Sequence, residues 1–259
     1  MLSPLDKNLL YFNGIILNFL LMLIYATASL KGGVGKTTDA IFVAQAYVVI
    51  NGLKVLLVDL DPNNNLTDYY LRNESVEDIN SKNIGHVLEG SSSLSDVIRK
   101  TEFGIDIVPA NIRLARIARD VSSDPSAILR FQSALKKLDY DLVILDTPPY
   151  LSFTLTLGIY VADKILVPVS LNRWSLQGHD EVYAEIERIT QDNPKPIINI
   201  PSKISKADAG KATYLEKYTF TKSFIQNLKE VEMAAMNGVP LNKDGTSWKQ
   251  FSELAKEIL

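Results

Sequence analysis

Lys31-Gly32-Gly33-Val34-Gly35-Lys36-Thr37-Thr38 is the stretch that decides the fold of this 259-residue chain. An apolar β-type run, Leu23-Ile24-Tyr25-Ala26-Thr27-Ala28, precedes it. A helical pattern opens after it at Ala40-Ile41-Phe42-Val43-Ala44. Strand, glycine loop and helix in that order form the context that a phosphate-binding loop requires. Gly32, Gly33 and Gly35 reach positive φ at little steric cost, so the backbone through Val34 can wrap an anion with its N–H groups turned inward. The N-terminus of the following helix reinforces that nest. Lys36 is placed to bridge β- and γ-phosphate oxygens, the Thr37 hydroxyl to ligate Mg²⁺, and Thr38 to sit one step deeper, near the α-phosphate. The strict pattern G-x-x-x-x-G-K-[ST] is broken at Leu30, and a second lysine, Lys31, stands early in the loop instead.

Two further segments point the same way. Val55-Leu56-Leu57-Val58 runs into Asp59-Leu60-Asp61-Pro62-Asn63-Asn64-Asn65, and Leu142-Val143-Ile144-Leu145 runs into Asp146-Thr147-Pro148-Pro149. Both put carboxylates at the carboxyl end of an apolar strand, where open α/β sheets bind their ligands. Taken singly, an Asp-Pro pair is often a turn and a strand-end Asp often a helix cap. Three such features in this order are hard to read as coincidence.

Together, Lys31–Thr38, Asp59–Asn65 and Asp146–Pro149 resemble the deviant Walker A, A′ and B motifs of the ParA/MinD-type ATPases. The likeness continues in Ala162–Val169 with Ser175-Leu176-Gln177-Gly178, in Ala235–Leu241, and in Phe251–Leu259, covering about residues 22–259. It implies a mostly parallel twisted sheet with helices on both faces, a deviant P-loop NTPase, binding ATP and Mg²⁺. It implies that Asp146 is a water-mediated Mg²⁺ partner, that Asp59 supports the metal shell and that Asp61 positions the attacking water. Lys31 resembles the signature lysine that reaches across a nucleotide-sandwich homodimer, a cation supplied in trans to transition-state charge. One departure stands out: the family's A′ box commonly reads D-x-D-P-Q-G-N, and Asn63 and Asn64 replace its Gln and Gly.

Composition narrows the field. Hydrophobic residues make up 46% and charged residues 22%, ordinary values for a soluble globule. The net charge of −3 carries no global basic footprint, so any contact with DNA must be a local patch. There is no cysteine, which fits a cytoplasmic protein without disulfides and rules out a Cys-ligated iron–sulfur cluster. His86 and His179 stand far apart and read as surface or packing residues, not as a zinc centre.

Residues 9–26 are strongly apolar, but their last part must serve as the strand feeding the phosphate loop. About residues 9–22 remain, too short for a ~30 Å hydrocarbon core and interrupted by Asn13, Gly14 and Asn18. Residues 1–21 therefore read as an N-terminal extension, packed as an extra helix or mobile, with Met22 as the start that the resemblance implies. Residues 22–259 read as one ATPase domain, the short form without an N-terminal helix-turn-helix.

The alternation predicts strands near 23–29, 54–59, 105–108, 141–146, 164–169 and 196–200. Helices are predicted near 37–51, 84–89, 125–138, 153–161, 176–191, 208–218 and 247–258, with a polar exposed loop at 71–83. The most basic stretch, Ile197–Lys229, carries Lys203, Lys206, Lys211, Lys217, Lys222 and Lys229. By resemblance, Lys203, Lys206, Lys222 and Lys229 are candidates for non-specific DNA contact, and Ile225-Gln226-Asn227-Leu228 lies near the adenine.

The function this implies is an ATP-dependent DNA-partition or cargo-positioning ATPase. Its partners would be nucleoid DNA and a ParB-like adaptor that stimulates hydrolysis, in the cytoplasm. The cargo could instead be a protein organelle, as for McdA-like relatives. A MinD-like membrane ATPase is the next reading, although the mixed charge of Phe251–Leu259 looks like a docked final helix. A dethiobiotin-synthetase-like ligase is the third, without an identifiable substrate set.

Overall fold

Four segments, Leu23–Thr27, Val55–Asp59, Leu142–Asp146 and Lys164–Val169, are almost wholly buried along their length. Continuous apolar runs of this kind belong to parallel strands covered on both faces. The computed structural model describes residues 9–12, 15–18, 22–124, 126–170, 173–208 and 218–259. In chain order the strands are β1 Leu9–Phe12, β2 Ile15–Asn18, β3 Leu23–Thr27, β4 Val55–Asp59, β5 Arg99–Lys100, β6 Asp106–Val108, β7 Leu142–Asp146, β8 Lys164–Val169, β9 Ile197–Ile204 and β10 Ile225–Gln226. The helices are α1 Lys36–Asn51, α2 Asn65–Leu71, α3 Val76–Ser81, α4 Ile84–Glu89, α5 Leu114–Val121, α6 Ser126–Leu135, α7 Phe153–Val161, α8 Arg173–Thr190, α9 Lys229–Asn237 and α10 Thr246–Ile258.

Eight strands form one sheet in the order β10-β9-β8-β3-β7-β4-β6-β5. Every pairing is parallel except β5 against β6. The two-residue period of a strand deals alternate side chains to opposite faces. Tyr25, Val55, Leu57, Leu142 and Ile144 pack on one face with α1, α2, α9 and α10. Ile24, Ala26, Leu56, Val58, Val143 and Leu145 pack on the other with α4 to α8. The parallel sheet with helices on both faces is thus the architecture expected.

All six strands read from the sequence are present, with ends shifted by a few residues. Several elements were not foreseen. The stretch read as an exposed loop at 71–83 contains α3, a six-residue helix with no buried residue, started by Ser75, whose Oγ accepts the Asp78 N–H at 3.1 Å. A short polar helix has no apolar period to betray it. α5 does bury Leu114, Ile117 and Ala118 on one face, but over only eight residues. The N-terminal extension, expected as a helix or a mobile segment, pairs β1 with β2 as an antiparallel hairpin in its own two-stranded sheet. Residues 1–8, 13–14 and 19–21 of that extension, and 209–217 of the helix expected at 208–218, with Lys211 and Lys217, lie outside the described residues.

Candidate nucleotide-binding site

β3, β4 and β7 are adjacent, and all three end at one edge of the sheet. Asp59 and Asp146 are register partners across β4 and β7. The loop leaving β3 curls over this edge before α1 begins at Lys36. Gly33 (φ 76°) and Gly35 (φ 113°) occupy the left-handed region that side chains rarely adopt. α1 starts without any side-chain cap on its first N–H groups, leaving the N-terminal dipole turned toward the loop.

A cavity of about 530 Å³ opens here, lined by Gly32, Gly33, Gly35, Lys36, Thr37, Thr38, Asp61, Asn63 and Lys203 among others. A second one, of about 430 Å³, adjoins it and shares Thr38, Lys203, Ala235 and Met236. It also takes in Ile225–Leu228, the segment read as lying near an adenine. A larger hollow of about 590 Å³ between α4 and α6 lies away from all three motifs.

Asp146 is 1% exposed and held from both sides: the Thr37 hydroxyl donates to Oδ2 at 2.6 Å and the Thr27 hydroxyl to Oδ1 at 2.9 Å. Burial pushes its carboxyl pKa up, while the Lys36 ammonium and these hydroxyls pull it down. Burial lowers the Lys36 pKa in turn, opposed by Asp146 and Asp61. Each favours the charged form of the other, against the effect of burial. Asp61 is 6% exposed, and its Oδ1 accepts the Asn63 N–H at 2.9 Å, closing a tight turn around Pro62.

Asp59 is engaged differently. Its Oδ1 accepts the Asp61 N–H at 3.1 Å, and its Oδ2 accepts both the N–H and the hydroxyl of Thr67 at 2.9 and 2.7 Å. The Thr67 hydroxyl also accepts the Ala110 N–H at 2.8 Å, tying α2 to the end of β6. Burial, with Asp146 beside it, raises the Asp59 pKa to about 8. Asp59 is thus the anchor of the loop that carries Asp61. Asn64, standing where the family's pattern has Gly, has φ 49°. Asn is the residue other than Gly that best tolerates this region, so the substitution keeps the turn.

The structure brings Lys36, Thr37, Asp59, Asp61 and Asp146 to one place. Lys31 is not among the residues lining the phosphate cavity. It lines a small hollow with Ser29, Val34 and His179, and its N–H donates to the Ser29 hydroxyl at 3.1 Å. Lys203, read as a DNA candidate, is exposed and also lines both cavities, at φ 54° on β9. Lys206, Lys222 and Lys229 are exposed elsewhere. His179, whose Nε2 lies 2.7 Å from the Asn199 Oδ1, is a buried packing residue as expected. Sequence reading missed Thr27, Thr67, Asp39 and Ser202. A threonine inside an apolar strand and an acid inside an apolar helix were the available signals for Thr27 and Asp39; Thr67 and Ser202 had none.

Gly35 has little room for a side chain. A Cβ there would lie 2.6 Å from the Ser202 Oγ, in a backbone conformation that itself costs about 1–3 kcal/mol for other residues. Gly35→Ala is expected to lower thermal stability and to weaken nucleotide binding together. A variant with wild-type melting and affinity would show that the loop relaxes freely.

The comparisons with known proteins agree with this geometry. The AAA domain family designated AAA_31 matches residues 22–200. A chromosome-partitioning ATPase, Soj, of Thermus thermophilus is 35% identical over 165 residues, 63% of this chain and 61% of that protein. The chain thus spans about three-fifths of the length of this curated relative. A plasmid partition protein of Borrelia burgdorferi bound to AMPPNP shares the fold, with a TM-score of 0.78 at 20% identity over 92% of this chain and 98% of that one. Cobyrinic acid a,c-diamide synthase of Mycobacterium smegmatis, with a bound ATP analogue and magnesium, superposes with a TM-score of 0.72 at 25% identity over 92% and 94%. With the family matched over more than half of its length and three motifs meeting at one sheet edge, the chain belongs to the AAA_31 family of AAA domains, among its ParA-type members.

Proposed function

We propose that the protein is an ATP-driven partition switch. ATP binds in the cleft and drives a nucleotide-sandwich homodimer, the dimer holds DNA non-specifically, and a ParB-like adaptor stimulates hydrolysis and release. The observation that carries this reading is the separation of the two loop lysines: Lys36 lines the phosphate cavity and Lys31 does not. A cation placed outside its own cavity suits action on a second copy's nucleotide.

The donor set fits Mg²⁺. Among the described residues no group of three or more His, Cys, Asp or Glu side chains could hold a metal by itself. Mg²⁺ is commonly held by one or two protein oxygens together with substrate phosphates, and Thr37 with Asp146 offers such a pair. When bound, the ion would neutralise charge on the β- and γ-oxygens. Lys36 and the loop N–H groups would orient the triphosphate. Asp61, at the rim on a turn fixed by Asp59, would hold the attacking water in line.

The membrane alternative is disfavoured by α10, whose Trp248, Phe251, Leu254, Ala255 and Ile258 are packed into the core with α1. Among the described residues no helix is long and apolar enough to cross a membrane. DNA retention and liposome flotation, each with ATP, with ADP and without nucleotide, test the proposal. DNA retention is expected with ATP only, falling steeply with salt as lysines such as Lys206, Lys222 and Lys229 give up phosphates. ATP-dependent flotation without DNA retention would overturn the reading.

A further inference from the structure

We propose that Asp39 selects the nucleobase, its Oδ2 accepting a hydrogen bond from the exocyclic amino group of adenine. The inference rests on ATP being the nucleotide. Asp39 stands in the first turn of α1, where an acid would ordinarily serve the helix N-terminus. It does not cap α1, which has no side-chain cap. Its carboxyl group, whose pKa burial raises to about 8, meets β9 instead: the Ser202 hydroxyl donates to Oδ1 at 3.1 Å, and above that pH both oxygens are acceptors. Asp39 is 1% exposed, and Oδ2 is buried without a hydrogen-bond partner. A buried acceptor left unmatched is costly, and a ligand donor would relieve that cost.

The place fits such a ligand. Asp39 and Ser202 line the second cavity, the one contiguous with the phosphate cavity through Thr38 and Lys203. A nucleotide with its phosphates on the glycine loop can send its other end there. The competing polar groups are engaged or facing water. The Gln226 side-chain oxygen accepts from the Gln250 amide at 2.9 Å, and the Gln226 N–H donates to Gln250 at 3.0 Å. Asn227, Lys203 and Glu232 are exposed. The buried acceptor in this cavity is therefore Asp39, on the same helix that begins with Lys36 and Thr37.

The test is calorimetric titration of the full chain, with Mg²⁺, by ATP, by ITP, which lacks the amino group, and by 2′-deoxy-ATP. A site built around one hydrogen bond rejects the analogue that lacks it, so ATP is expected to bind about tenfold or more tighter than ITP. Asp39→Leu is expected to bring the two within about threefold, by weakening ATP. Asp39→Asn, which keeps a carbonyl acceptor, is expected to retain part of the preference. Equal binding of ATP and ITP by the wild-type protein would overturn the inference with no variant needed. So would an unchanged ATP-to-ITP ratio in Asp39→Leu, or a loss confined to the 2′-deoxy comparison, which would place Asp39 on the ribose. The ATP reading fails separately and takes this one with it: no nucleotide would bind, or Lys36→Ala would bind ATP as tightly as the wild type.

Discussion

Lys31→Ala is expected to fold and bind ATP normally while its turnover falls by about 10³-fold or more, the range attached to a cation supplied in trans. The expectation follows from position. Lys31 is half-buried beside Ser29 and lines a small hollow with Val34 and His179, outside the cavity that Lys36 and Thr37 shape. Removing it takes nothing from the phosphate cradle of its own chain, so affinity for ATP by the monomer is spared. What it removes is a charge that, in the proposed dimer, would act on the nucleotide of the second copy. Sedimentation with ATP and single-turnover phosphate release read the two effects separately. A variant that dimerises and hydrolyses at the wild-type rate would show that Lys31 has no such role.

Asp61→Ala is expected to trap an ATP-bound dimer, with hydrolysis down about 10²–10⁴-fold, the usual worth of a group that handles the proton of an attacking water. This substitution has a second effect that must be kept apart. The Asp61 Oδ1 accepts the Asn63 N–H, so the alanine also loosens the turn. Asp61→Asn preserves an acceptor for that N–H while lacking a carboxylate. If both variants stall hydrolysis and retain ATP, the loss belongs to the chemistry. If Asp61→Asn turns over normally and Asp61→Ala does not, the carboxylate matters only for the shape of the loop.

The legible parts of this protein were those in which one short segment carries its own physics. Lys31–Thr38 holds the glycines, lysines and hydroxyl of a phosphate loop in eight consecutive residues. The runs at 55–58 and 142–145 could be placed as buried strands because both faces of a parallel strand are covered. Asp59 and Asp146 follow as strand-end carboxylates. Asp59 as a structural anchor was not legible, because its partner Thr67 reaches it only after the chain has turned into α2. Nor was α3, which buries nothing and has no period.

The class of fold, the loop that would hold phosphates and the carboxylates at the strand ends are written in short stretches of the chain. Each of these depends on neighbours a few residues apart. Which side chains complete the cleft depends on long-range packing. Ser202 meets Asp39 across 163 residues of sequence. Lys203, read as one of several basic surface residues, is carried by β9 to the mouth of both cavities. These placements follow from sheet order and helix packing, which bring distant segments together because alternate faces of each strand must be buried. No local pattern in the chain encodes them.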